Sequence, residues 1–164
     1  MRRLWLIVVV LGLAGCLAGG LAGCGWFGGK KSGAKQVSVF SAKPGQCFVA
    51  PKDVKAELSK LSRIDCSQPH TQEAYAVLPY TAASGASASA SAYPGNDVLA
   101  TFAQGACAQG YRAYVGVDYL DSRLFFTYLL PSARSWEQDS DRNVICFVTT
   151  TGQQLTSSVK GSKQ

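Results

Sequence analysis

Apolar and polar residues change their spacing several times along the chain, and each change marks a boundary. Positions 4–21, LWLIVVVLGLAGCLAGGL, are almost wholly apolar and follow two arginines, Arg2 and Arg3. That is the layout of a secretory signal, with a positive start, an apolar middle and a small-residue end. A membrane span asks for roughly 20 predominantly apolar residues, and glycine dilutes the second half of this run, so a cleaved signal over 1–23 is expected rather than an uncleaved anchor. Residues 24–36 then read as a cysteine and a flexible tether, GWFGGKKSGAKQ, with no periodicity.

From Val37 the spacing becomes that of a folded domain, expected over 37–161 with a short tail at 162–164. VSVFSAKPGQCFV (37–49) alternates around Pro44-Gly45 and predicts a short strand or hairpin arm carrying Cys47. In 50–64 Val54, Leu58 and Leu61 fall at helical spacing among charges, which predicts a loop with a turn of helix. EAYAVL (73–78) alternates as a strand after a turn through Cys66 and Pro69. The Ala/Ser-rich stretch 81–93 has nothing with which to build a core and reads as a solvated loop.

Pro94-Gly95-Asn96-Asp97 then offers a helix start with an Asn or Asp cap. Leu99, Phe102, Ala103, Ala106, Cys107 and Tyr111 share one face, so a helix is predicted over 97–114. Gly105 and Gly110 weaken it by about 1 kcal/mol each relative to alanine. LFFTYLL (124–130) and NVICFVTT (143–150) read as strands flanking a short SARSWEQ helix. A Thr151-Gly152 turn is expected to close a hairpin between the second of these and LTSSVKG (155–161). The fold class is α+β: one principal helix on a small antiparallel sheet of about four to five strands.

Cysteines add a second layer of organisation. The four letters LAGC occur at 13–16 and again at 21–24, and each copy resembles the lipobox of bacterial lipoproteins. That resemblance implies lipidation of the cysteine thiol, cleavage just before it, and attachment to the extracytoplasmic face of the cell membrane. Of six cysteines, cleavage before Cys24 discards Cys16 and leaves four to pair in an oxidising compartment. Cleavage before Cys16 would strand Cys24 as an odd thiol behind a short apolar run, so Cys24 is the expected site and Cys16 the alternative. More than one acyl chain on that residue anchors stably, and Trp26 and Phe27 beside it suit the headgroup layer. The four remaining cysteines allow three pairings. Cys47–Cys66 and Cys107–Cys146 are expected, the first joining two extended segments and the second tying helix to strand. Each loop closure is worth about 3 to 4 kcal/mol in the chain-entropy account.

Charge changes the picture little. Losing Arg2 and Arg3 leaves 14 basic against 10 acidic residues and lowers the formal charge from +6 to +4. Several of those positives sit in the tether (Lys30, Lys31, Lys35) and the tail (Lys160, Lys163), where they solvate the ends. No basic stripe interleaved with aromatics is present, so a nucleic-acid partner is not expected.

The candidate chemistry is sparse. His70 is the one histidine, and with Glu73 it forms a three-residue spacing across a turn, where imidazole and carboxylate can hydrogen-bond and set backbone geometry. The Cys66-x-x-x-His70 spacing with Glu73 also contains metal-ligand types, but a zinc site would need cysteines that an oxidising compartment pairs. Asp139, Asp141 and Arg142 read as a loop-closing ion pair, and Trp136 as a lid over the core with its N–H at a rim. No catalytic residue, metal or cofactor is assigned; His70, Glu73 and Trp136 are assigned as a structural or binding motif.

The blocks KPGQCF, CSQPHTQEAYAVL, YPGNDVLATFAQGAC, YLLPSARSWEQDSDRNVICFV and LTSSVKG, in that order over Val39 to Gly161, resemble the septum formation family of actinobacterial envelope proteins. The chain departs from that pattern at Gln46, where the family tends to have Asp, at Ala74, and at Ser157 in place of a glycine. The resemblance implies an envelope or division setting and carries no settled biochemical activity. The expected function is therefore a lipid-anchored extracytoplasmic lipoprotein whose domain binds or scaffolds, with the membrane and envelope or division proteins as partners. The alternative is a small envelope hydrolase or transferase using His70 with a nearby carboxylate.

Overall fold

Six segments of the domain become strands, and one of them, Asn143–Thr149, is buried almost continuously rather than in alternation. In the computed structural model, β1 (Lys35–Ser38), β2 (Cys47–Val49), β3 (Lys60–Ile64), β4 (Gln72–Pro79), β5 (Phe125–Leu129) and β6 (Asn143–Thr149) form a single six-stranded sheet. Their order is β1-β3-β2-β4-β6-β5, and every neighbouring pair is antiparallel. The described residues are 33–53, 57–82 and 92–164. The chain divides into two units, Met1–Lys30 and Lys31–Gln164, and every described residue belongs to the second. The signal, Cys16, Cys24, the tether up to Ser32, Val54 and positions 83–91 of the Ala/Ser loop lie outside the described residues.

The main helix, α1 (Asn96–Val115), buries Leu99, Ala103, Cys107, Tyr111 and Val115, a stripe of strict four-residue steps. It packs on one face of the sheet against Val144, Cys146 and Val148 of β6 and Tyr75 of β4. A bulge helps it sit there: Ala74 pairs with Phe147 and Ala76 with Cys146, which leaves Tyr75 as the extra residue. Both Tyr75 and Ala76 therefore turn toward α1, and the Tyr75 hydroxyl donates to the Cys107 carbonyl at 2.8 Å. The other face carries a smaller core of Val39, Ala42, Phe48, Leu61, Ala74, Ile145 and Phe147, with Phe48 and Phe147 packed edge to face at 5.8 Å. The departure at Ala74 from the family pattern thus falls inside this second core. A short helix, α2 (Ala133–Gln138), is closed at its start by a reciprocal Ser132–Ser135 capping box. No described helix is long and apolar enough to cross a membrane.

The two disulfides join Cys47 to Cys66 and Cys107 to Cys146, as expected. The first ties β2 to the turn beyond β3, and the second ties α1 to β6.

Several local expectations are corrected. Of the two forms expected around Pro44-Gly45, the short strand carrying Cys47 is present as β2 and the hairpin is not, because β1 and β2 each pair with β3, which lies between them. The segment read as a loop with a turn of helix ends in β3, whose Leu61 is buried while Lys60 and Arg63 are exposed. Pairing on both sides outweighs the chance helical spacing of Leu58 and Leu61. LTSSVKG is not a strand, and of it only Leu155 makes a bridge, to His70. The physical reason is that β6 already has β4 on one side and β5 on the other, so no edge remains for a hairpin partner. The cap of α1 is Gly95 with no side-chain hydrogen bond, because the Asn96 side chain instead accepts from the Tyr93 hydroxyl.

Candidate functional site

The predicted pair His70 and Glu73 come from the turn before β4 and from its second residue, and both are 0% exposed. They do not bond to each other. Glu73 Oε1 accepts from the Tyr114 hydroxyl at 2.5 Å and the Ser158 hydroxyl at 2.6 Å, and Oε2 accepts from the Val159 backbone N–H at 2.8 Å. The His70 backbone exchanges hydrogen bonds with Leu155 at 2.9 and 2.8 Å. Together they clasp the C-terminal LTSSVKG segment to α1 and β4. A buried carboxylate needs partners of this kind, since leaving it unbonded in a low-dielectric interior is costly. Burial, followed by the hydrogen bond to Glu73 and its charge, pushes the Tyr114 hydroxyl well above its ordinary pKa, with the Ser158 contact acting the other way.

The imidazole is half satisfied. Nδ1 lies 2.7 Å from the Gln68 carbonyl, and because a carbonyl only accepts, Nδ1 carries the proton. Nε2 is buried with no hydrogen-bond partner. Ligand atoms of Cys47, His70 and Glu73 lie within 4.8 Å of one another, although the Cys47 sulfur is joined to Cys66.

Trp136, on α2, is 2% exposed and packs edge-on against Tyr80 at 5.9 Å and Tyr93 at 5.8 Å. The Arg142 guanidinium lies 3.9 Å from the centre of its ring and donates to the Trp136 carbonyl at 2.6 Å. Asp141 accepts from the Asn143 N–H at 3.1 Å and from the Ser135 hydroxyl at 3.2 Å. Asp141 and Arg142 hold the α2–β6 turn through these hydrogen bonds and the Arg142–Trp136 ring contact.

Beside this turn lies a groove of about 760 Å³, on the sheet face opposite α1. Val77, Ile145 and Leu129 make its floor, one residue from each of three adjacent strands in register. Phe40, 56% exposed, stands in its wall from the 3-10 turn Val39–Ser41. Glu57, Asp139 and Asp141 contribute three carboxylates against the single guanidinium of Arg134, and the Ser132 hydroxyl donates to Glu57 across the two walls. The volume falls in the range of ligand sites, roughly 300–1,000 Å³.

Sequence reasoning had named Asp139 and Asp141 but found no further carboxylate to join them; Glu57 and Phe40 were missed. No pattern in the sequence points to either, because Phe40 and Glu57 reach the groove from segments that only the folded sheet brings beside Leu129 and Ile145.

The septum formation family model matches residues 44–164. Comparison with curated proteins and with solved structures returns no match. The matched span contains both disulfides, the Glu73 clasp and the C-terminal segment it holds. With about three quarters of its length inside that match, the chain belongs to the septum formation family.

Proposed function

We propose that this chain is a lipid-anchored, extracytoplasmic binding module of the cell envelope, and that its groove receives an apolar, cationic segment of an envelope or division protein. The observation that carries the proposal is the groove itself. An aliphatic floor of Val77, Leu129 and the buried Ile145 lies at the edge of the second core, an aromatic ring is exposed in the groove wall, and three carboxylates face one arginine. An exposed aromatic beside a concave apolar floor is the chemistry of a binding anchor, and the charge imbalance favours a positive partner. Family membership supports the envelope and division setting, and the lipobox resemblance supports the anchor. A binding role is favoured over hydrolysis or group transfer through His70 because His70 and Glu73 are both fully buried, so neither meets a substrate without opening the fold.

The test follows the protein, fused at its carboxyl end to a fluorophore that folds outside the cytoplasm, in growing cells. Enrichment at the division site is expected to be lost in Phe40→Ser and in the charge reversal Asp139→Lys, and retained in Leu120→Ser, which alters an exposed apolar residue outside the groove. Even distribution of the unmodified protein would remove the division role, and unchanged enrichment in both groove variants would remove the groove. His70→Ala is expected to lower stability, with the protein that remains folded localising normally. For the anchor, intact mass of detergent-extracted protein should show an acylated Cys24 at the amino terminus; a chain still beginning at Met1 would overturn it.

A further inference from the structure

The two edges of the sheet are built differently. β1 is four residues long, largely exposed, and carries Lys35, a charge of the kind that keeps an edge from pairing with another chain. β5, Phe125–Leu129, has no charged residue, no proline and no bulge. It pairs with β6 on one side, and among the described residues nothing hydrogen-bonds to the backbone groups on its other side. Phe126 and Tyr128 pack into the core beneath α1, so Phe125, Thr127 and Leu129 lie on the opposite face. There Phe125 is 50% exposed, and Thr127 is exposed as well.

We propose that β5 pairs antiparallel with β5 of a second copy of this chain, about a two-fold axis at Thr127, so that one sheet runs through both molecules. The strand is self-complementary in that register. Phe125 stands opposite Leu129 of the second copy on one face, Phe126 stands opposite Tyr128 on the other, and Thr127 stands opposite itself. Each apolar side chain thus meets an apolar one and threonine meets threonine, the cross-strand pairs that stabilise a sheet. A two-fold interface demands this property, because every contact occurs twice with the roles exchanged. Charge agrees with the register. Arg123, exposed just before β5, comes beside Pro131 of the second copy, in the wall of the groove that carries Glu57, Asp139 and Asp141. Assembly ends at two chains because the outer edges that remain are the Lys35-bearing β1 strands.

The proposal concerns the β5 edge and does not rest on what the groove receives, so it is read on purified protein with no other partner present. Sedimentation equilibrium of the full chain in density-matched detergent is expected to show a monomer–dimer equilibrium. Thr127→Lys sets two ammonium groups directly opposite each other and should weaken association at least 10-fold, with the far-ultraviolet signature unchanged because position 127 is exposed. Arg123→Glu should weaken it about 3- to 5-fold, an effect that high salt removes. Cross-linking reads the register. Opposed residues of an antiparallel pair have Cα atoms about 4.5–5.5 Å apart, within disulfide reach, so Thr127→Cys should form a chain-to-chain disulfide under mild oxidation. Phe125→Cys should do so only when mixed with Leu129→Cys, and Gln109→Cys, exposed on α1, should not. A full chain that stays monomeric, with Thr127→Cys cross-linking no faster than Gln109→Cys, would overturn the proposal. Undiminished association in Thr127→Lys would also overturn it, by moving the interface elsewhere. So would cross-linking of Thr127→Cys in cells to a different protein and not to itself, which would give the edge to a foreign strand.

Discussion

A carboxylate with three donors and no solvent is the feature on which the C-terminal segment depends. Glu73 meets two hydroxyls and one backbone N–H, and hydrogen bonds to an ionised group contribute about 1.5–3 kcal/mol each. Glu73→Gln puts an NH₂ group where one set of these donors points, so it is expected to destabilise the domain by about 2–3 kcal/mol, read as a lowered urea midpoint at unchanged slope. Tyrosines respond to the same burial. Tyr75 is pushed up by burial and then by Tyr111, and Tyr114 by burial and then by Glu73. A folded-state pKa raised above the unfolded value of about 10 gives stability that is complete below that value and lost as pH rises through the folded one. Urea unfolding stepped through alkaline pH should therefore show stability falling above about pH 10, with a shallower fall in Tyr114→Phe.

At the scale of elements, glycines in and after α1 have opposite roles that only coordinates separate. A Cβ at Gly105 would meet nothing within 4 Å, so Gly105→Ala is expected to raise stability by about 1 kcal/mol through helix propensity. Gly116 ends the helix at φ 98° with its N–H on the Arg112 carbonyl, and a Cβ there would lie 3.1 Å from Lys163 Cγ. Gly116→Ala should cost about 1–2 kcal/mol from the left-handed backbone alone, and paired thermal melts would distinguish the two signs. Gln46 also becomes legible here. Its side-chain oxygen accepts from the Lys43 N–H at 3.0 Å, so it serves the turn where the family tends to carry an aspartate.

For the whole molecule, two cross-links divide the work. Cys107–Cys146 closes 39 residues of separation between α1 and β6 and sits entirely in the core, with both cysteines 0% exposed. Removing it as Cys107→Ala/Cys146→Ala should cost about 4 kcal/mol in the chain-entropy account and lower the thermal midpoint without altering the sheet's far-ultraviolet signature. The sheet itself separates two environments: a face closed by α1 and the C-terminal segment, and a face left open at the β5 edge, where the groove lies.

Periodicity and cysteine spacing were enough to find α1, β4, β5, α2 and β6, the α+β class and the pairing of both disulfides, because each rests on local pattern or on a small number of combinations. The blocks resembling the septum formation family were likewise readable as short strings in order. What the chain alone left undecided depends on which edges and faces remain free after folding. β3 inserts between β1 and β2, and LTSSVKG crosses to His70 because β6 has no open edge. Glu73 reaches Ser158 across 85 residues, and Glu57 meets Ser132 across 75. Contacts at such separations leave no periodic trace in sequence; they exist only once the sheet order is settled, and both the clasp and the groove are made of them.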